Sequence, residues 1–350
     1  MHPVKTVPSE AVLVVNAHSR RGRALFREAR SKLEAAGLRL IDAHAVTNPR
    51  HLIPTVKEAV RAGAPMVIVG GGDGSLSSAV DELVDRDCVF ALLPLGTANS
   101  FARTLGIPLD LDGAIATIAT GKRRRIDLGM IDGDYFANCA AMGLAPMIGE
   151  GIPHGLKRWL GRFGYFLWGA WCLVKFRPFR MNLRGEDLDE TIWATEVRIG
   201  NGGHHGGVEL IESAEVDSGE IVVQAVVGRS RFSLLRDWFA KYWKLESREH
   251  TTREFHARRI EIETRPRQRI SIDGEVVAKT PCVAQVAERA IEVVVPAASL
   301  SPSGEREEPR SGEGRGGVGG ASREPATPPL PGPLPNGERV VQPNWDKAAR

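Results

Sequence analysis

"VIVGGGDGSLSSAVDEL" (residues 67–83) packs four glycines and one aspartate between an apolar run and a helical pattern. The apolar run, residues 66–69, has no polar alternation, which predicts a strand buried on both faces, as in a parallel sheet. Glycines that follow such a strand expose a row of backbone N–H groups free of Cβ atoms. They feed the start of a helix near Leu76, where orphan N–H groups and the helix dipole favour an anion. A tight strand-to-helix turn that needs only positive φ would require fewer glycines. The spacing fits neither G-x-x-x-x-G-K-[ST] nor G-x-G-x-x-G, so this is a glycine loop of another kind.

Upstream and downstream the same grammar repeats. Residues 12–15 (VLVV) and 89–93 (VFALL) are further doubly buried strands, and "LRLIDAHAV" (residues 38–46) is a weaker one. Leu25, Phe26, Ala29 and Leu33 recur at helical spacing, as do Val56, Ala59 and Val60. Strands alternating with helices predict right-handed crossovers and a doubly wound α/β domain, with ligands beyond the carboxyl ends of the strands. "PLGTAN" follows the fourth strand as the glycine loop follows the third, so the two loops are expected on one edge.

Past about residue 128 the pattern changes. "IWATEVRIG", "EIVVQAVV", "RRIEIET", "QRISIDGE" and "AIEVVVP" are short and mostly alternating, which predicts an antiparallel β-sandwich. The expected organisation is an α/β domain over residues 1–127, a β-sandwich over 128–298, and a disordered tail over 299–350. That tail, with "ATPPLPGPLPNGERV", has too little apolar surface to offset its ordering entropy. The "KRRR" run (residues 122–125) is expected to be a solvated linker that adds attraction to anionic surfaces.

The 350 residues exceed one ordinary core. A net charge of +3 is too small to argue for nucleic acid as a partner. Cys88, Cys139, Cys172 and Cys282 are scattered without zinc spacing, which predicts reduced core thiols and a cytoplasmic protein. The opening "MHPVKTVPSE" does not read as a signal peptide, and no apolar run reaches membrane-spanning length.

Five segments in order, "VVNAHSRRG", "VIVGGGDGSL", "LLPLGTANSFARTLGIP", "IGNGGHHGGVELIESAEVDSGEI" and "ISIDGE", resemble the diacylglycerol kinase catalytic-domain family. That family includes soluble bacterial diacylglycerol kinases, YegS-like lipid kinases, and sphingosine and ceramide kinases. The resemblance covers about residues 10 to 297. It implies a Rossmann-like, phosphofructokinase-like N-terminal domain and a C-terminal β-sandwich, with ATP in the cleft between them. It further implies a kinase of phospholipid metabolism that phosphorylates diacylglycerol, ceramide or a sphingoid base, using Mg²⁺. Nucleotide contacts carried over from the family fall on Asn16, Ser19, Gly22, Thr47, Gly71, Gly72, Asp73, Gly74, Ser75, Thr97 and Asn99. By residue type alone, Asn99 suits a helix cap equally well.

A lipid alcohol needs a base to take its proton during phosphoryl transfer. The resemblance offers Glu275 of "IDGE" and Asp73, and here Glu275 is taken as the base with Asp73 organising phosphate and Mg²⁺. An exposed glutamate after an Asp-Gly turn is the plain alternative. The family pattern is broken at Ser78 and Ser100, where it has acidic residues. It is broken again at Ser218, which replaces the aspartate of a structural Mg²⁺ turn and leaves Glu215, Asp217 and Glu220 as the other donors. His204 and His205 are adjacent, so they point apart and are expected to be structural or substrate-loop residues.

"GLKRWLGRFGYFLWGAWCLVKFRPFR" (residues 155–180) places Trp159, Trp168 and Trp171 between basic flanks, with Arg162 inside. Residues 230–245 repeat the theme with Trp238, Phe239, Tyr242 and Trp243. Both suit peripheral contact with a lipid surface, and the first suits a core helix equally. A homodimer is one assembly the resemblance allows. A catalytically impaired lipid- or nucleotide-binding homologue stays open, as does an NAD kinase-like enzyme, although the downstream motifs of the latter are missing.

Overall fold

The structure, a computed structural model, describes residues 6–151, 168–169, 171–229, 252–272 and 275–297. The expected tail, Trp159, Arg162, the aromatic stretch at 230–245 and the turn at 273–274 lie outside the described residues.

Four parallel strands form the N-terminal half: β1 (Glu10–Asn16), β2 (Arg39–Val46), β3 (Met66–Gly71) and β4 (Val89–Pro94). Their order is β4-β3-β1-β2. Every residue of β3 and β4 is buried, as the unbroken apolar runs require. β2 is the edge strand and stays largely exposed, which is why its apolar pattern is the weakest. Helices α1 (Arg20–Ala35), α2 (Leu52–Arg61) and α3 (Asp73–Val80) make the crossovers. α1 begins where the Ser19 hydroxyl accepts the Gly22 N–H, and it buries Ala29 and Leu33. α2 buries Leu52, Val56 and Ala59.

The chain leaves β1 toward β2, then crosses back to lay β3 on the other side of β1. This reversal opens a crevice at the carboxyl ends of β1 and β3, the place where open α/β sheets bind ligands. Asn16 and Gly71 end those two strands.

In the C-terminal half the neighbouring strands run Glu275–Lys279, Arg269–Ile272, Cys139–Gly143, Asp189–Gly200, Phe179–Arg184 and Arg259–Arg265. Ile221–Val227 and Thr252–Ala257 extend the layer from Asp189–Gly200. The alternation expected from sequence sends Met181, Leu183, Val197, Ile199, Val223, Ile260, Ile262 and Ile270 into a second core. The class is therefore an α/β domain followed by a sandwich-like β domain.

The last strand departs from expectation. The sequence pattern places "AIEVVVP" in the sandwich, but Cys282–Val295 runs out of it and pairs in parallel with β4 at Glu292↔Val89. Ile291, Val293, Val294 and Val295 join Phe90 and Leu92 in the first core. The reason is local: three consecutive valines suit a strand covered on both faces, not an alternating one. The same strand pairs antiparallel with β5 (Lys122–Ile131), which contains the basic run. The arginines there are not a solvated linker. Arg123 forms a largely buried ion pair with Glu292, Arg124 pairs with Asp217, and Arg125 donates to the Arg289 carbonyl at 3.0 Å.

Asp127, buried in the middle of β5, ties three segments together. Its N–H donates to Val216 O (2.6 Å), while its carboxylate accepts the N–H groups of Gly219 (2.8 Å) and Arg289 (2.6 Å). Backbone hydrogen bonds to a carboxylate contribute about 1.5–3 kcal/mol each. Asp127→Ala is therefore expected to cost about 3 kcal/mol or more. The measurement is a urea unfolding curve, in which the midpoint falls while the slope is unchanged.

Candidate functional site

At the crevice, Gly72 is the N-cap of α3 and no side chain caps that helix. Ser75 and Leu76 N–H donate to Gly72 O, so the N–H groups of Asp73 and Gly74 are the ones left to an outside acceptor. Asn16, from the end of β1, donates its amide to the Ser75 hydroxyl at 3.2 Å, so the switch-point strands and the first turn of α3 are joined. Gly22 is required beside them, since a Cβ there would lie 2.7 Å from the Asn16 carbonyl oxygen. Ser19 is spent as the cap of α1, and Thr47 is exposed, its carbonyl accepting from His18 Nδ1 at 3.0 Å.

The loop after β4 lies directly against the glycine loop. Leu95 N–H donates to Gly71 O at 2.8 Å, and a Cβ on Gly96 would come 2.5 Å from Gly72 Cα. Asn99 has a left-handed backbone and does not cap the helix Ser100–Thr104. Its buried amide instead braces its own loop, accepting from Gly96 N–H (3.0 Å) and donating to Gly96 O (3.1 Å) and Pro94 O (3.4 Å). Both amide protons and one lone-pair site are thereby used, so Asn99 acts here as a loop brace. The acceptor for that helix comes from across the crevice, where Asp73 Oδ1 lies 3.4 Å from Phe101 N–H. Thr97 is exposed at the tip of the loop.

A third segment closes on this pair. The hairpin made by His204–His205 and Val208–Glu209 sits against the loop after β4, with Gly207 N–H donating to the Ser100 hydroxyl at 3.0 Å. Ser100 thus serves as a tether where the family resemblance expects a carboxylate. Ser78, at the other break in the pattern, is exposed and returns its hydroxyl to Gly74 O at 2.8 Å. The two histidines do point apart. His204 Nδ1 is 3.3 Å from the Thr104 hydroxyl, whereas the charges that act on His205 are those of Arg198, Glu196 and Asp73. Burial, then the Arg198 charge, lowers the pKa of His205.

Glu275 opens the strand Glu275–Lys279, opposite Ile272, and its side chain lies outside the described residues. The register Ile272↔Ala140↔Ile199 places its backbone at the same end of the sheet as Gly200, from which the chain enters the hairpin. The expected metal donors are elsewhere. Glu215, Asp217, Ser218 and Glu220 form a turn next to Arg124 and Asp127, with Asp217 bonded to Arg124 and the Ser218 hydroxyl directed at the Glu215 and Glu220 carbonyls. Among the described residues no group of three or more His, Cys, Asp or Glu is disposed to hold a metal.

Three participants were missing from the sequence reading. Asp127 lay unremarked inside a strand. Asn201 is buried and donates both amide protons, to Asp127 O and Ala137 O, each at 2.9 Å. The Glu196–Arg198 ion pair, extended to Gln224 at 2.8 Å, looks on sequence like the solvent face of an alternating strand. The four cysteines are buried; burial pushes Cys88 and Cys282 up to about 12, so neither is a nucleophile.

A crevice of this form, with a glycine loop, an uncapped helix and an aspartate at a parallel-sheet switch point, defines a phosphate-handling α/β protein with an appended β-sandwich. The family model of the diacylglycerol kinase catalytic domain matches residues 10–131. That of the YegS C-terminal NAD kinase beta sandwich-like domain matches residues 148–295. The chain belongs to the diacylglycerol kinase catalytic-domain family, within its YegS-like lipid kinases. A protein of Enterobacter sp. named "Probable lipid kinase YegS-like" is 32% identical over 216 residues, which cover 60% of this chain and 72% of that protein. The diacylglycerol kinase of Bacillus subtilis is 32% identical over 185 residues, covering 51% of this chain and 60% of that one. A crystal structure of a diacylglycerol kinase from Bacillus anthracis has the same fold, with a TM-score of 0.67 at 22% identity, covering 85% of this chain and all of that one.

The His205 environment sets a pH dependence. A folded-state pKa below the ordinary value of 6.5 means that the unfolded chain binds more protons below that pH. The contribution of His205 to stability is therefore fully present above about pH 6.5 and is lost as pH falls from there through its lowered folded-state value. Thermal melts between pH 7 and pH 5 should show a shallower decline for His205→Gln than for wild type.

Proposed function

We propose that this chain is an ATP-dependent lipid kinase. It transfers the γ-phosphoryl group to a hydroxyl of diacylglycerol or a related lipid such as ceramide or a sphingoid base. The observation that carries this reading is the convergence of the Gly71–Gly72 loop, the Gly96–Asn99 loop and the His204–Glu209 hairpin on the uncapped start of α3. Backbone N–H groups of Asp73 and Gly74 receive nucleotide phosphate, and the Ser75 hydroxyl, held by Asn16, faces the same crevice. Mg²⁺ arriving with the nucleotide neutralises charge on the transferred group.

Asp73 holds the nucleotide's cation and keeps the second loop in place. Glu275 accepts the proton of the lipid hydroxyl as its oxygen attacks the γ-phosphorus and ADP departs. The lipid is met at a membrane surface. Helical residues 171–175 put Cys172 in the second core but leave Trp171 and Val174 exposed (45% and 68%), with Lys175 Nζ 4.3 Å from the Trp171 ring centre. Apolar tips beside cations suit an anionic interface. Among the described residues no helix is long and apolar enough to cross a membrane.

Labelled ATP offered with diacylglycerol, ceramide, sphingosine and phosphatidylglycerol in mixed micelles should label at least one lipid. Glu275→Gln should lower turnover by about 10²-fold or more and leave nucleotide affinity unchanged. Consumption of no ATP with any lipid would favour the binding homologue, and near-normal turnover in Glu275→Gln would remove it as the base. In flotation, the protein should rise with anionic vesicles at low salt and less so at salt on the order of 0.5 M, where screening is strong. Trp171→Ala should weaken the flotation; no binding at low salt would sink the membrane reading.

A further inference from the structure

We propose that the turn at residues 214–220 is a cation-free staple, in which the Ser218 hydroxyl and the Arg124 guanidinium do the work of a divalent ion. The family resemblance implies Mg²⁺ here, and the donors disagree. A hard cation needs several oxygens converging with their lone pairs free. The two carbonyls that would converge, Glu215 O and Glu220 O, instead share the single proton of the Ser218 hydroxyl, whose oxygen lies 3.0 and 3.2 Å from them. That hydroxyl also receives the Glu220 N–H at 3.3 Å, so it fills the centre of the turn with hydrogen bonds.

The one adjacent aspartate is engaged elsewhere. Asp217 Oδ2 accepts from Arg124 Nε at 3.1 Å and from its Nη2, giving a charge-assisted pair on one oxygen. Its negative charge is already balanced, and a divalent ion beside the guanidinium would meet repulsion. The third side of the turn is fixed by Asp127, which takes the Gly219 N–H. Arg124 and Asp127 both stand on β5, so one strand grips the turn at two points three residues apart.

The consequence reaches the crevice. Asp127 O accepts from Asn201, and Asn201 precedes the hairpin that rests on Ser100. The frame behind the phosphate loops is thus held by the chain's own groups, and any divalent requirement belongs to the nucleotide alone. This goes beyond the proposed reaction and is read without turnover.

The test is thermal melting of the full chain without nucleotide, in EDTA and in millimolar Mg²⁺. Wild type should melt at the same temperature in both. Ser218→Ala should melt about 2 °C lower or more, equally in both buffers, and Ser218→Thr should recover most of the loss. A wild-type melting point that rises with Mg²⁺ and loses that rise in Asp217→Asn would overturn the proposal. A rise that survives Asp217→Asn but vanishes in Asp73→Asn puts the ion at the phosphate loop and leaves the staple standing.

Discussion

Gly72 and Gly96 pass so closely that a side-chain carbon on Gly96 would overlap the Gly72 backbone, and the carboxyl edge of the sheet is organised around that contact. Strands β3 and β4 are in register to Gly71↔Pro94, so their loops leave the sheet side by side. Gly96 is the residue that lets the two backbones close, since a Cβ on Gly72 would meet Gly96 Cα only at 3.4 Å, an ordinary contact. Once they do, each neighbouring bond has a defined job. Asn99 stiffens the second loop from inside, Asp73 spans to the helix behind it, and Ser100 receives the hairpin from the other domain. Substituting Gly96 would move all three.

What the sequence disclosed depended on whether burial left a local mark. Doubly covered strands such as β3 and β4 are written as unbroken apolar runs, and the crossovers between them as helical spacing, so the α/β half was readable. The alternating strands of the second half were readable too, but alternation says which residues share a face and not what covers it. Glu196 and Arg198 carry the pattern of a wetted face, yet Gln224, bonded to Arg198, also donates to Leu210 O, and both charged side chains are largely buried. Asp127 and Asn201 left no signal because each is a lone polar residue whose partners are backbone groups far along the chain. Asn99 misled for a related reason: its type suits a cap, but its left-handed backbone turns the amide inward.

The electrostatics of the crevice pose a narrower question. A helix start with unclaimed N–H groups draws an anion, yet Asp73 places a carboxylate at that same helix start. Without a counter-charge, the carboxylate would oppose a polyphosphate. His205 does not supply one, since burial and the nearby Arg198 disfavour its charged form. Arg198 is itself bonded to Glu196 and Gln224. The crevice thus combines anion-drawing N–H groups with a carboxylate, and on the proposed reading that carboxylate serves the cation a nucleoside triphosphate carries.

The final strand explains how a site assembled from two domains keeps its geometry. Cys282–Val295 pairs with Arg259–Arg265 at one end and with β4 at the other, so one stretch of backbone belongs to both sheets. Hinge motion between the halves would have to break ladder hydrogen bonds along β5 and this strand, which stay paired from Lys122↔Val295 to Ile131↔Ala284 with one bulge. At that bulge sits Arg289, whose N–H is taken by Asp127. The irregularity that would otherwise be the weakest point of the shared strand is thus closed by the carboxylate that also holds the 214–220 turn. The hairpin at His204–Glu209, by contrast, is tied to the N-terminal domain by hydrogen bonds to Thr104 and Ser100 and not by a ladder, so its attachment is the weaker of the two.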